Sequence, residues 1–347
     1  MIKMITFHFA YNYGAALQAY ALKTYINDII GDCSIIDYRP KKIADNYHIK
    51  WYRMLKNPKL LFVKIRRMTQ DALFEDFINT KLCNDSKGES IENIKNNDCI
   101  LVTGSDQVWN TDLTHDDLNY FLRFAGTGCK RISYGASVGN STVVENYSET
   151  IIGELKKFDY ISCRESSAVS ALKKKIDGIN IYSVVDPTFL LSKEDWCKLC
   201  RRPKSPIPKK YILFYALTES KELMSKAEQV ARESGLPIIS IHPMSKRWKI
   251  NGKNLNDIGP LEFLWLVNNA DYVCTNSFHG SVFSVIFKKK CILAAHERLG
   301  ERNKQLLEWM KLDQDDFGKE INFHSCDYKN LEHQIENSKK YLVEALR

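Results

Sequence analysis

The stretch whose reading decides the fold is YVCTNSFHGSVFSVIF, Tyr272 to Phe287. Tyr272–Cys274 is apolar, Thr275–Ser277 is small and polar, and after Phe278, His279, Gly280 and Ser281 the apolar residues resume. A short apolar run, a polar interruption and a second apolar run read as strand, loop and helix. The strand is Tyr272–Thr275 and the helix Ser281–Phe287. On this reading His279 is not a misplaced core residue. It lies on a loop at the carboxyl end of a strand, where Gly280 gives the turn its freedom. That is where open α/β sheets bind their ligands.

Working outward, the same unit recurs along the chain. Met4–Phe7, Ser34–Tyr38, Cys99–Val102, Arg131–Tyr134, Asp159–Cys163 and Ile181–Val185 read as strands. Ala15–Asn27, Tyr52–Thr80 (broken near Pro58) and Glu165–Lys175 read as helices between them. Then CRRPKSPIPKKY, Cys200–Tyr211, brings three prolines and five basic residues together, a boundary signal. A second series follows, with strands at Tyr211–Ala216, Pro237–His242 and Cys291–Ala295. Its helices are Lys221–Ser234, Leu261–Asn268, Arg302–Met310 and Tyr328–Leu346. Strand–helix alternation on both sides of a linker predicts an α/β protein of two Rossmann-like domains. The domains are expected at 1–200 and 211–325, with a linker at 201–210 and a C-terminal helix at 326–347. The cleft between them is the default site.

Bulk composition agrees with a globular chain. Of 347 residues, 44% are hydrophobic and 27% charged, enough for a sizeable core. No apolar run reaches 18 residues, so no membrane span is expected. The N-terminal MIKMITFHFAYNYG is a poor signal peptide, so a cytoplasmic location is expected. The ten scattered cysteines then remain reduced and mostly buried. Net charge is +8, and its distribution matters more than its size. Between Asp45 and Asp71 there is no acidic residue, while Lys50, Arg53, Lys56, Lys59, Lys64, Arg66 and Arg67 alternate with bulky apolar side chains. Two readings of window 49–68 stay open: a solvated helix packing its apolar side on the domain, or peripheral contact with an anionic membrane. No nucleic-acid motif is visible, and nucleic acid is not an expected partner.

Four strand ends carry polar loops. In FHFAYNYGAALQAYAL (7–22), His8, Asn12 and Gly14 lie between a strand and a helix. Gly14 would let a ligand approach the backbone, and the helix N-terminus would favour an anion. An ordinary tight turn is the other reading. In ILVTGSDQVWN (100–110), Ser105, Asp106 and Trp109 follow a strand. Trp109 would offer a flat platform and Asp106 a carboxylate for a sugar hydroxyl. Alternatively the ring is core and Asp106 caps a turn. In YISCRESSAVSAL (160–172), Arg164 stands where strand gives way to helix, placed to hold phosphate or carboxylate, or else to pair with Glu165 or Asp186. The fourth loop, Asn276, Ser277, His279 and Gly280, supplies a histidine able to move a proton near neutral pH. No zinc-spaced cluster, P-loop or nucleophile elbow accompanies these loops, and no metal site or cofactor is expected.

Taken in order, the pieces NYGAALQAYAL, IIDYRP, GSDQVWN, KRISYGAS, ISCRESS, VVDPTFLL, NADYVCTNSFHGSVFSVIF and ERNKQLLEWM span almost the whole chain. Together they resemble the polysaccharide pyruvyl transferase family. The resemblance implies a GT-B-like fold of two domains facing across a cleft. It implies transfer of a pyruvyl group from phosphoenolpyruvate, as donor substrate, to two hydroxyls of a sugar. The product is a cyclic ketal and phosphate leaves. In related members the sugar, of galactose or N-acetylmannosamine type, belongs to a lipid-linked precursor of a capsule or wall polymer at the inner face of the cytoplasmic membrane. The family's catalytic histidine matches His279 and its substrate-binding arginine matches Arg164. Some members carry an arginine where this chain has Ser277. The second cation must then come from elsewhere, and Arg302, Arg298 and Lys130 are candidates, Arg302 preferred. In the expected reaction His279 protonates the methylene carbon of phosphoenolpyruvate. Arg164 and helix N-termini hold the anionic groups, and Asp106 is the candidate base. The competing readings are a nucleotide-sugar-dependent glycosyltransferase of GT-B fold and a non-enzymatic scaffold of a polymer-assembly complex, since fold alone does not assign function.

Overall fold

Two parallel sheets carry the alternation. The computed structural model describes residues 1–47, 59–84, 91–94, 99–294 and 300–347. In the first half, β1 (Ile2–Ile5), β2 (Cys33–Ile35), β3 (Ile100–Thr103) and β4 (Lys130–Ser133) form a sheet in the order β2-β1-β3-β4, parallel throughout. β5 (Ile161–Cys163) and β6 (Ile181–Ser183) pair in parallel and extend it through single bridges, Ile132 to Tyr160 and Ala136 to Cys163. The second half holds β7 (Ile212–Tyr215), β8 (Ile238–Ile241), β9 (Lys253–Asn254), β10 (Tyr272–Thr275), β11 (Lys290–Leu293) and β12 (Glu320–Asn322). Their order is β12-β11-β10-β7-β8-β9, and β12 alone of these is antiparallel to its neighbour. β1, β7 and β8 are buried at every position, as strands covered on both faces must be. Residues 201–210, between the halves, have no regular structure.

The helices that matter below are α1 (Tyr13–Ile29), α2 (Lys59–Phe77), α3 (Ser166–Lys173), α4 (Lys221–Ser234), α5 (Pro260–Asn269), α6 (Phe278–Ile286), α7 (Gly300–Trp309) and α8 (Lys329–Leu346). Two of their starts show the chemistry the chain supplies. Asn12 accepts the Gly14 and Ala15 N–H groups to cap α1, and Pro260 opens α5 where no N–H is needed.

α6 begins three residues earlier than the sequence pattern predicts. Ser277 takes extended backbone angles and its hydroxyl accepts the Gly280 N–H, so the polar stretch is the first turn of the helix rather than a loop. β9 and β12, at two and three residues, are too short to show any alternation.

Aromatic packing closes the seam between the halves. The buried Tyr13 stacks on Phe263 of α5 at 4.7 Å and on Phe74 of α2 at 5.3 Å, and meets Tyr215 of β7 edge-on at 5.6 Å. Each such pair adds about 0.5–1.5 kcal/mol beyond its buried area. Gln70 of α2 is the polar clasp. Its amide nitrogen lies 2.9 Å from the Tyr13 hydroxyl, 3.0 Å from His242 O and 3.1 Å from Ile258 O, while its oxygen accepts from Ser245 at 2.6 Å. α8 returns to the first half, where the Tyr341 hydroxyl donates to Ser133 O and Ser338 accepts the Val185 N–H.

Seven of the ten cysteines are buried. Among the described residues no helix is long and apolar enough to cross a membrane. Of the basic window 49–68, residues 49–58 lie outside the described residues, and the remainder is the first part of α2.

Candidate functional site

Asp186 is the hub of the site. It lies three residues beyond the end of β6, before Pro187, and its side chain is wholly buried. Oδ1 accepts from the Thr188 N–H at 3.0 Å and the Thr188 hydroxyl at 2.7 Å. Oδ2 faces Arg164 Nη1 at 2.5 Å and His279 Nε2 at 3.3 Å. Burial works against this carboxylate. The contact with His279, the Arg164 charge and the hydrogen bonds from Thr188 outweigh it and hold the group well below the usual carboxylate range. A buried anion so fixed orients both partners across the cleft: Arg164 follows β5 in the first half, and His279 stands in the first turn of α6 in the second.

Around this hub lie groups with unmet hydrogen-bonding capacity. Arg164 leaves Nε and Nη2 unpartnered, and Nη2 comes only to 3.7 Å from Asp106 Oδ1. Arg302 of α7 is buried, with Nε unpartnered and 3.8 Å from Glu165 Oε1. Desolvation and the nearby Arg164 charge push the Arg302 guanidinium below its ordinary value. Both guanidinium carbons lie over the Phe278 ring, at 5.5 and 5.1 Å. His279 Nε2, Ser105 Oγ, Glu165 Oε2 and Asn303 Oδ1 are also buried without a hydrogen-bond partner. Seven of the fifteen such atoms among the described residues therefore belong to this one place. Buried polar groups are rarely left unpaired, and a cluster of them marks a place that a polar ligand completes.

His279, Arg302 and Asn303 of these groups border a cavity of about 60 Å³ lined from both halves, with Asn12, Asp106 and Gln107 on one side and Ser277, His279 and Arg302 on the other; Arg164, Ser105 and Glu165 do not line it. It is small beside the roughly 300–1,000 Å³ of ordinary ligand sites. Larger surface hollows of about 650, 710 and 690 Å³ lie elsewhere, but no residue lining them holds an unpartnered buried side-chain atom. Chemistry therefore selects the small cavity over the large ones.

Several expectations change on the structure. Trp109 is no sugar platform. It is fully buried, stacks on Phe121 at 5.7 Å and donates its indole N–H to Tyr120 O. His8 is also buried and faces Asp37 at 2.8 Å, away from the cavity. Gly14 makes room for a side chain rather than a ligand: a Cβ there would lie 2.0 Å from His279 Nδ1. Gly280 likewise serves close packing, since its Cβ would meet Thr275 Oγ1 at 2.3 Å.

Ser277 and Asn276 border the cavity, but their side chains are committed. Ser277 caps α6, and Asn276 bonds Leu217 N and Thr218 O. Asn12 is committed to capping α1. Lys130 opens β4 at the amino end, opposite the strand ends that carry the site, and its ammonium lies over the Tyr160 ring. Arg298 lies outside the described residues. Asp106 borders the cavity with φ +75, a left-handed conformation few non-glycine residues adopt.

The sequence reading weighed Asp186 and Glu165 only as partners that might neutralise Arg164. The available signal was Asp186-Pro187 closing a strand, an N-cap followed by Pro at the first helical position.

Two Rossmann-like halves facing across a cleft define a GT-B-like α/β protein. The model for polysaccharide pyruvyl transferase matches residues 12–298, and the chain belongs to that family. No curated protein matches it by sequence. Among solved structures, a Listeria monocytogenes protein taken to be a UDP-N-acetylglucosamine 2-epimerase superposes with TM-score 0.50 at 9% identity, covering 99% of this chain and 90% of that one. The UDP-GlcNAc 2-epimerase of Methanocaldococcus jannaschii gives TM-score 0.49 at 13% identity, with 99% and 98% covered. That of Neisseria meningitidis gives 0.47 at 12%, again with 99% and 98% covered. At such identities the likeness extends to the fold and no further.

Proposed function

We propose that this pyruvyl transferase takes its pyruvyl group from phosphoenolpyruvate and places it on two hydroxyls of a sugar in a lipid-linked polysaccharide precursor. The observation that carries this reading is that His279 and Arg302, each with an unpartnered buried nitrogen, line one inter-domain cavity, while the unpartnered Arg164 Nη2 stands 3.7 Å from Asp106, which also lines it. Phosphoenolpyruvate offers a phosphate and a carboxylate, and two guanidiniums match that pair through bidentate contacts.

His279, with its proton on Nε2, gives it to the methylene carbon of the enol phosphate, and Asp186 stabilises the imidazolium beforehand. The adjacent carbon becomes electron-poor and a sugar hydroxyl attacks it. Asp106 takes the hydroxyl proton. Phosphate leaves with its bridging oxygen, and attack by the second hydroxyl closes the ketal. The methyl group thus gains one proton and the two hydroxyls lose one each, the remaining proton leaving with phosphate. Asp106, Glu165 and Asp186 oppose Arg164 and Arg302, so the site is electrically balanced when His279 is protonated.

The test is phosphate release from phosphoenolpyruvate with galactose- and N-acetylmannosamine-bearing lipid-linked or aryl glycoside acceptors. Acceptor-dependent release, with a gain in acceptor mass equal to a pyruvate ketal, is expected. No release with any acceptor, together with thermal protection by a nucleotide sugar but not by phosphoenolpyruvate, overturns the reading in favour of nucleotide-sugar chemistry.

A further inference from the structure

Seven large hydrophobic side chains are exposed among the described residues, and four of them fall within eight positions of α2: Leu61, Phe62, Ile65 and Met68, at 48%, 74%, 56% and 60% exposure. At ~100° per residue, Leu61, Ile65 and Met68 lie within about 60° of one another, and Phe62 adjoins them. The orientation of α2 is not open to adjustment. Its opposite face is buried through Arg67, Gln70, Phe74 and Phe77, with Gln70 clasping the second half and the Arg67 guanidinium donating to Tyr47 O. An apolar stripe therefore faces outward on a helix whose inner face is already satisfied.

The borders of the stripe are basic. Lys64 stands on one side and Arg66 on the other, next to Arg247, and Arg66 Nε has no hydrogen-bond partner. The sequence has no acid between Asp45 and Asp71 to offset them. A two-fold contact with a second copy would bring these like charges together. A surface that takes apolar side chains and supplies negative charge at their rim satisfies both features. We propose that the outer face of α2 docks on a bilayer bearing anionic lipid, with Leu61, Phe62, Ile65 and Met68 entering the headgroup–acyl boundary and Lys64 and Arg66 meeting the phosphates. This inference concerns where the protein sits and does not depend on which reaction it performs.

The experiment is vesicle flotation of the full chain, using phosphatidylcholine vesicles with and without phosphatidylglycerol, at low and high salt. The wild type is expected to float with the anionic vesicles, and less so as salt rises. The variant with Leu61→Ser, Phe62→Ser, Ile65→Ser and Met68→Ser is expected to partition about tenfold more weakly or worse, with its melting temperature unchanged because the side chains are exposed. Lys64→Glu with Arg66→Glu provides the electrostatic arm and should abolish the preference for anionic vesicles. Equal flotation of wild type and both variants overturns the proposal, as does failure of the wild type to float. Sedimentation velocity showing a wild-type dimer that the serine variant converts to monomer, without any vesicle effect, overturns it in favour of a second copy.

Discussion

At the scale of single residues, the site depends on one close approach. Gly14 and His279 come from different halves of the chain, and a Cβ at Gly14 would lie 2.0 Å from Nδ1 and 2.2 Å from Cγ of the imidazole. The ring must turn away if any side chain is added there. Gly14→Ala is therefore expected to cost about 10²-fold in turnover through misplacement of the ring. Its melting temperature should hold to within a few degrees, because Ala suits a helix better than Gly. His279→Ala is expected to cost on the order of 10²–10⁴-fold if it supplies the proton. Because both changes disable the same group, the double variant should be no slower than His279→Ala alone. Additive losses in phosphate-release assays would show that Gly14 acts by another route. Arg302→Gln, by contrast, should raise the half-saturating phosphoenolpyruvate concentration more than it lowers the maximal rate, which steady-state kinetics separates. This residue scale was partly legible in the sequence. His279, Arg164 and Asp106 were picked out by their place after strands, His279 and Arg164 also by the family resemblance, and the structure places His279 in the first turn of α6. Trp109 and His8 misled because an aromatic or a histidine in a polar loop reads the same whether its ring points outward or into the core. Gly14 was noticed for its freedom, but its reason lies more than 250 positions away, in a ring that local sequence cannot place beside it.

At the scale of elements, α2 and the turn after β8 share a histidine with a measurable signature. His242 is buried, with its Nδ1 accepting the Met244 N–H and its carbonyl accepting from Gln70. Desolvation lowers its pKa to about 4 from 6.5; a backbone contact with Leu217 opposes this, and the charges of Lys246 and Arg67 add to it. The sign follows from proton counting. Above pH 6.5 neither state binds the proton and the group contributes nothing. Between 6.5 and 4 the unfolded chain binds it and the folded chain refuses it, so stability falls as pH falls. By pH 4 this linkage is on the order of 3 kcal/mol. His242→Asn keeps an acceptor near Nδ1 and removes the titration. Its melting temperature should decline less than that of the wild type between pH 6.5 and 4, and parallel declines would rule out His242 as the source. Elements themselves were well marked by apolar runs bounded by polar loops, which is why the α/β alternation and the break at 201–210 could be read directly. The start of α6 was not, because Ser-Phe-His-Gly carries no acidic first turn and its cap is a hydroxyl bond visible only in three dimensions.

At the scale of the whole molecule, the two halves are joined by more than the chain between them. α8 is the last helix in sequence, yet it packs Tyr341 among Tyr134, Tyr160 and Tyr182 of the first half and buries Leu331, Leu342, Ala345 and Leu346. The sequence placed this helix as a separate C-terminal segment. Nothing in its own pattern names its partner, since an amphipathic stripe shows that a face is buried but not against what. Its hydrogen bonds fall at two informative points. Ser338 holds Val185, the residue before Asp186, and Tyr341 holds Ser133 at the end of β4. Loss of α8 would therefore expose several large apolar side chains and release the strand end that carries the hub carboxylate. Truncation after Asp327 is expected to destabilise the protein by several kcal/mol, since each buried large side chain lost costs about 2–5 kcal/mol. A point variant separates the site effect from gross unfolding. Ser338→Ala leaves the Val185 N–H without its partner, a cost of about 1–3 kcal/mol, while the helix stays docked. If Val185 positions Asp186, this variant should lower turnover and shift its pH profile even at temperatures where it is fully folded. An unchanged pH profile with only a lower melting temperature would restrict α8 to holding the fold together.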